Sequence, residues 1–151
     1  MDIIIGSDHA GYDMKEECRI FLEKDSRNKV VDAGVYNKEP SDYPVIADKV
    51  AKAIANGMYH RGILICGSGI GMSIVANRHK GVRAALCHDL FTARMSRQHN
   101  DANILVMGSR IIGLGLALEM VDIFIKTEFE GGRHLKRLEL IDYRGDYFEA
   151  K

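Results

Sequence analysis

The chain has 151 residues, with 21 basic side chains balanced by 21 acidic ones and three cysteines, a length that suits one domain spanning 1–151. Balanced charge argues against nucleic acid or an anionic membrane as the main partner, because both select an excess of Lys and Arg. Cys18, Cys66 and Cys87 contain no C-x-x-C pair, so a zinc ribbon or disulfide framework is not expected and a reduced, cytoplasmic setting is.

Met1 leads into a short run of isoleucines with no charged leader, and no apolar stretch is long enough to cross a bilayer. The first predicted strand is 3–5, followed at once by Ser7, Asp8 and His9. A helix over 12–24 carries Met14, Cys18, Phe21 and Leu22 on one face. After a strand at 30–31 comes a helix over 43–56, with Ser41 or Asp42 as its cap and Pro44 in its first turn. Strands follow at 63–66, 82–87 and 104–107, each too short for a helix and each ended by a polar residue or glycine. The helix predicted at 114–129 is the most apolar and is expected against the sheet or a partner chain. A last, more polar helix is expected over 133–149.

Alternating strands and helices imply an α/β fold: a single-domain, three-layer α/β/α sandwich around a five-stranded parallel sheet, Rossmann-like. Ligands of such sheets bind beyond the carboxyl ends of the strands. Asp8 and His9 lie beyond strand one, Cys66 to Ser73 beyond strand three, His88 and Asp89 beyond strand four, and Ser109 and Arg110 beyond strand five.

The segment Ile63-Leu64-Ile65-Cys66-Gly67-Ser68-Gly69-Ile70-Gly71-Met72-Ser73 is the most informative. A buried run ends on a thiol, and a glycine-rich turn then starts a helix, whose free N–H groups attract anions and lower a thiol's pKa. A dinucleotide fingerprint needs a third glycine where Met72 stands, a P-loop needs a lysine, and a cysteine-phosphatase loop needs arginine at that same Met72 position. None fits, and an inert buried cysteine in a tight turn would have the same pattern.

Elsewhere each candidate has a plain structural alternative. Asp8 reads as a ligand-facing carboxylate or a helix cap, His99 as catalytic or simply solvated, and Tyr43 as ligand-facing or packed. Arg133 and Arg137, four apart, share one helix face and can clamp a phosphate or form a solvated basic face. Arg110 is a better single anion ligand. No H-x-x-x-H or H-E-x-x-H spacing occurs among the histidines, so no metal is expected.

Taken in order, Gly6-Ser7-Asp8-His9-Ala10-Gly11, Asp42-Tyr43-Pro44, Ile65-Cys66-Gly67-Ser68-Gly69-Ile70-Gly71 and Ala76-Asn77-Arg78 make a series. It continues through Ser96-Arg97-Gln98-His99-Asn100-Asp101-Ala102-Asn103, Gly108-Ser109-Arg110 and Glu130-Gly131-Gly132-Arg133-His134. The series resembles the ribose-5-phosphate isomerase B family, which also contains galactose-6-phosphate and allose-6-phosphate isomerases. The resemblance implies a cofactor-free aldose–ketose isomerase, with ribose 5-phosphate as the default substrate and allose, galactose or tetrose phosphates as alternatives. A non-catalytic phosphosugar-binding subunit is a further alternative, and a thiol redox protein would need Cys87 close to Cys66 in space.

The resemblance also implies roles. Cys66 would move a proton between C1 and C2, and Ser68 would assist between the sugar oxygens. Loop amides from Gly67, Gly69, Gly71 and Ser73 would hold an enediolate. Asp8 and His99 would open the furanose ring, with Asn100 and Tyr43 nearby; His9, Arg110, Arg133 and Arg137 would bind the phosphate. Relatives with a glutamate at the position of Met72 use it as the base, which places this chain in the cysteine branch. It implies a homodimer or homotetramer with shared sites, the last helix lying at the subunit interface. From its place beyond strand four, segment 88–91 is expected to line the far end of the pocket and set sugar length.

Overall fold

The computed structural model describes residues 1–142. Five strands, β1 (Asp2–Ser7), β2 (Lys29–Asp32), β3 (Arg61–Cys66), β4 (Ala84–Leu86) and β5 (Ile104–Gly108), form one sheet. Every pairing is parallel, in the order β2-β1-β3-β5-β4. A single 3-10 turn (His9–Gly11) leads into α1 (Tyr12–Glu23). The other helices are α2 (Tyr43–Ala55), α3 (Ile70–Ala76), α4 (Leu90–Gln98), α5 (Leu114–Lys126) and α6 (Arg133–Asp142). The α/β fold expected from the alternation is the one observed.

The β-branched runs form strands because both faces of the sheet are covered. Ile3, Ile5, Ile63, Ile65, Leu105 and Met107 point to a face packed by α1, α4 and α5. Ile4, Leu64, Cys66, Ile104 and Val106 point the opposite way, onto α2 and α3. Full burial of an aliphatic side chain stabilises by about 1.5–3 kcal/mol, so the three central strands anchor the domain. Cys87 packs in the first cluster and Cys66 in the second, with the sheet between them. A disulfide-exchange pair of these two thiols is therefore not assembled.

Two elements end well short of expectation. β4 is confined to Ala84–Leu86, because Val82 is held in a turn through its N–H to the His79 carbonyl. α5 stops at Lys126, where Thr127 turns extended and gives its carbonyl to the Arg97 guanidinium. α6 begins at Arg133 as expected and runs to Asp142, and the expected continuation to 149 lies outside the described residues.

A parallel sheet has two unlike edges, and the connections decide what each carries. Strand order reverses between β1 and β3, which opens a crevice beyond their carboxyl ends. The opposite edge is organised by Arg97, only 1% exposed. Its guanidinium donates to Asp101 at 2.7 Å, to the Ala102 carbonyl at 2.6 Å and to the Thr127 carbonyl at 3.2 Å. Arg83 reaches the other Asp101 oxygen at 2.9 Å. This network holds the α4–β5 loop against the segment that follows α5. Asp101 keeps Arg83, but truncating Arg97 leaves a buried void and takes the donor from the Ala102 and Thr127 carbonyls, so Arg97→Ala should lower the unfolding free energy by about 2–5 kcal/mol in a urea titration.

Candidate active site

Cys66 is the last residue of β3 and only 4% exposed. Its Sγ accepts the N–H of Gly69 at 3.1 Å. Gly69 reaches that position with a left-handed φ of +78°, and a Cβ there would lie 2.5 Å from Leu86 Cδ1. A side chain at Gly69 would therefore disturb the thiol's contact. Ser68 Oγ lies 3.4 Å from the N–H of Ile70, at the head of α3. The first N–H groups of a helix have no partner within it. With Gly69 and Ile70 turned to these side chains, Gly71 and Met72 carry the remaining donors of that turn. Ser73 adds neither donor, which corrects the expectation for its amide: its N–H donates to the Gly69 carbonyl at 3.0 Å and its hydroxyl to the Ile70 carbonyl at 2.8 Å.

A cleft of about 570 Å³ lies over this loop. Asp8, Tyr43, Cys66, Gly67, Ser68 and Gly71 line it, with Arg110 at its side. Asp8 is both things the sequence suggested. One carboxylate oxygen accepts the Gly11 N–H at 3.0 Å, capping the 3-10 turn, while the residue borders the cleft. Tyr43 lies against Gly71, whose absent Cβ would fall 2.4 Å from the ring. Arg110 donates its backbone N–H to the Gly67 carbonyl at 3.0 Å, which sets its side chain beside that residue. His9 Nδ1 accepts the Ser41 N–H at 3.2 Å, so a neutral His9 carries its proton on Nε2. Three exposed isoleucines, Ile70, Ile74 and Ile111, complete the rim; sequence reasoning did not single them out. A larger hollow of about 720 Å³ between α1 and α5 offers no comparable chemistry, its charges including Lys24, Asp25, Arg27 and Asp122.

The remaining candidates are elsewhere. His99 caps the C-terminus of α4 and precedes β5, at the sheet edge where strands begin. Asn100 follows it, and Arg133 and Arg137 lie exposed on α6 beyond the same edge. Cys66 pairs with Gly108 at the far end of β5. At about 3.3 Å per residue, the four steps of β5 alone span about 13 Å between the two edges. The candidates of one chain therefore fall into two groups, one at each edge. Segment 88–91 does not line the cleft either, which corrects the expectation that it sets pocket length. The cause is strand order: β5 lies between β3 and β4, placing the end of β4 two strands from Cys66.

At the second edge, His99, Glu130 and His134 bring ligand-type atoms within 4.8 Å of one another. The two imidazoles lie face to face, 4.2 Å between centroids and 8° apart in plane. Arg133 Nε also donates to His134 Nε2 at 3.4 Å. The arrangement fits a stacked pair better than a metal centre. Glu130 and His134 received no role from the sequence, although their i, i+4 spacing was a readable signal.

The three thiols differ in kind. Burial pushes the Cys18 thiol up to about 12 and raises that of Cys87 as well, so both resist ionisation inside the core. Iodoacetamide at mildly alkaline pH should label the native protein at Cys66 alone, and Cys66→Ala should take up none, as read by mass spectrometry.

A family model for ribose/galactose isomerases matches residues 3–141. The ribose-5-phosphate isomerase B of Escherichia coli K12 is 45% identical over 139 residues, covering 92% of this chain and 93% of that protein. A D-erythrulose-4-phosphate isomerase of Pectobacterium atrosepticum is 40% identical over 147 residues, covering 95% and 94%. Among solved structures, ribose-5-phosphate isomerase B of Clostridium thermocellum superposes with a TM-score of 0.91 at 51% identity, covering 94% and 95%. Matched along nearly its whole length by the family model and by full-length relatives, the chain belongs to the ribose/galactose isomerase family.

Proposed function

We propose that the protein interconverts ribose 5-phosphate and ribulose 5-phosphate, with Cys66 as the base and no cofactor. The observation that carries this reading is a thiol at the head of a cleft, touching a glycine-loop N–H at 3.1 Å, in a chain matched over residues 3–141 by the family of such isomerases. The Cys66 thiolate removes the C2 proton of the open-chain aldose. The electron pair released forms the C1–C2 double bond, and the carbonyl pair moves onto O1. The proton then returns to C1, O2 gives up its hydrogen to become the ketone, and O1 takes one. Ser68 serves this exchange between oxygens. The Gly71 and Met72 amides face the developing enediolate. Loss of one such donor typically costs roughly 2.7–4 kcal/mol of transition-state stabilisation. A cytosolic setting suits a mechanism that needs a free thiol.

The two half-sites are completed between two copies of the chain. Asp8, His9, Tyr43 and Arg110 come from the copy that supplies Cys66. The partner copy supplies its own equivalents of His99 and Asn100 to the sugar ring, and of Arg133 and Arg137 to the phosphate. The apolar rim around the cleft and the exposed Leu135 and Ile141 on α6 provide surface for this association in a homodimer. Kinship with the tetrose-phosphate isomerase supports a second reading, in which the sugar is one carbon shorter.

Proton NMR in deuterated water, with ribose 5-phosphate beside tetrose and hexose phosphates, tests the reaction. Deuterium should appear at the transferred carbon of one sugar. Cys66→Ala should keep the fold and lose at least the roughly 10²–10⁴-fold that a positioned base contributes; near-normal turnover would remove Cys66 from its role. A second experiment tests the assembly. Cys66→Ala and His99→Ala should each be inactive, yet refolding them together should restore about a quarter of wild-type activity, because half the dimers are mixed and each mixed dimer has one intact site. No recovery would mean that the halves do not combine across chains.

A further inference from the structure

His99 is a partly exposed residue just past the last turn of α4, a poor platform for a group that must be aimed. Its own helix does not hold the ring. The ring is instead stacked on His134, with centroids 4.2 Å apart and planes within 8°. His134 is 4% exposed. Burial, reinforced by the neighbouring His99 and Arg133, holds its imidazole below the usual histidine range, so the platform is neutral at neutral pH. Glu130 stands at the ring edges, its Oε2 being 3.7 Å from His134 Nε2 and 4.0 Å from His99 Nε2. Arg133 already occupies His134 Nε2, which leaves the Glu130 carboxylate to His99. The backbone joins the same two segments, Glu130 N–H donating to the Gln98 carbonyl at 3.0 Å.

We propose that His134 and Glu130 are positioning residues for His99, the first fixing the plane of its imidazole by stacking and the second facing its protonated Nε2 edge during ring opening. This rests on the isomerase reading above, in which His99 serves the furanose. Opening breaks the C1–O4 bond; the electron pair goes to O4, which gains a proton, while the O1 hydroxyl loses one and leaves the aldehyde. His99 moves one of these protons. A ring free to rotate would meet the sugar oxygen only part of the time, and misplacement of a proton-transfer group by about 1 Å can cost 10²-fold.

The test separates ring opening from the enediolate step within one protein. Ribulose 5-phosphate cannot close a furanose ring, because O5 carries the phosphate, so exchange of its C1 proton with deuterated solvent needs the base but not His99. Erythrose 4-phosphate, with its O4 phosphorylated, is likewise ring-free. His134→Ala and Glu130→Gln should lower conversion of ribose 5-phosphate by at least ~10-fold, part of the roughly 10²–10⁴-fold such a group supplies. Ring-free exchange or conversion should stay within about twofold of wild type, and His134→Phe, which keeps a stacking ring, should recover most of the loss. Equal losses on ring-forming and ring-free sugars, or no loss at all, would overturn the proposal. A wild-type protein that neither converts nor exchanges any of these sugars would instead overturn the isomerase reading itself.

Discussion

Everything in this molecule follows from the parallel pairing of all five strands. Parallel strands leave every carboxyl end on one edge of the sheet and every amino end on the other. Each connection must therefore cross the full height of the domain. The edge where strands end receives short loops that run into helix starts, with free amides and a thiol. The edge where strands begin receives helix ends and the segments that precede strands, and here it holds the imidazoles and the arginines of α6. Chemistry that calls for both kinds of group is divided by the height of the sheet.

Both edges are made rigid, by different means. At the cleft the work is done by backbone geometry: a left-handed glycine, an N–H on sulfur and a tyrosine against a glycine. At the other edge it is done by charge. Arg97 is buried because it satisfies two carbonyls and a carboxylate at once, and Lys15 plays a similar part near the end of β2, paired with Glu16 and Asp32. A cation that reaches several acceptors converts a desolvation cost into a fixed loop, whereas one with a single partner would leave the loop free.

Much of this was legible in the chain itself. The central strands were readable because burial on both faces selects unbroken aliphatic runs. The residues around Cys66 stood out because a thiol that closes a buried strand and precedes three alternating glycines stands beside the free N–H groups of a helix start. The end of α5 was not legible: the apolar pattern runs on to Phe129, but Arg97, far away in sequence, takes the Thr127 carbonyl. Strand order was also hidden, and with it the misplacement of segment 88–91. The position of His99, by contrast, was derivable. A residue just before a strand must lie at that strand's starting edge, opposite residues just after one.

The two outermost strands are the shortest, four residues in β2 and three in β4, against five or six in the interior. β2 also opens on Lys29 and closes on Asp32. Strands this short present few unpaired amides along the flanks of the sheet, and terminal charges discourage a further strand from docking. The domain can thus keep a long aliphatic centre, the composition most prone to cross-β stacking, without offering a template for it. Protection from edge-to-edge pairing here is a property of where the sheet is allowed to stop.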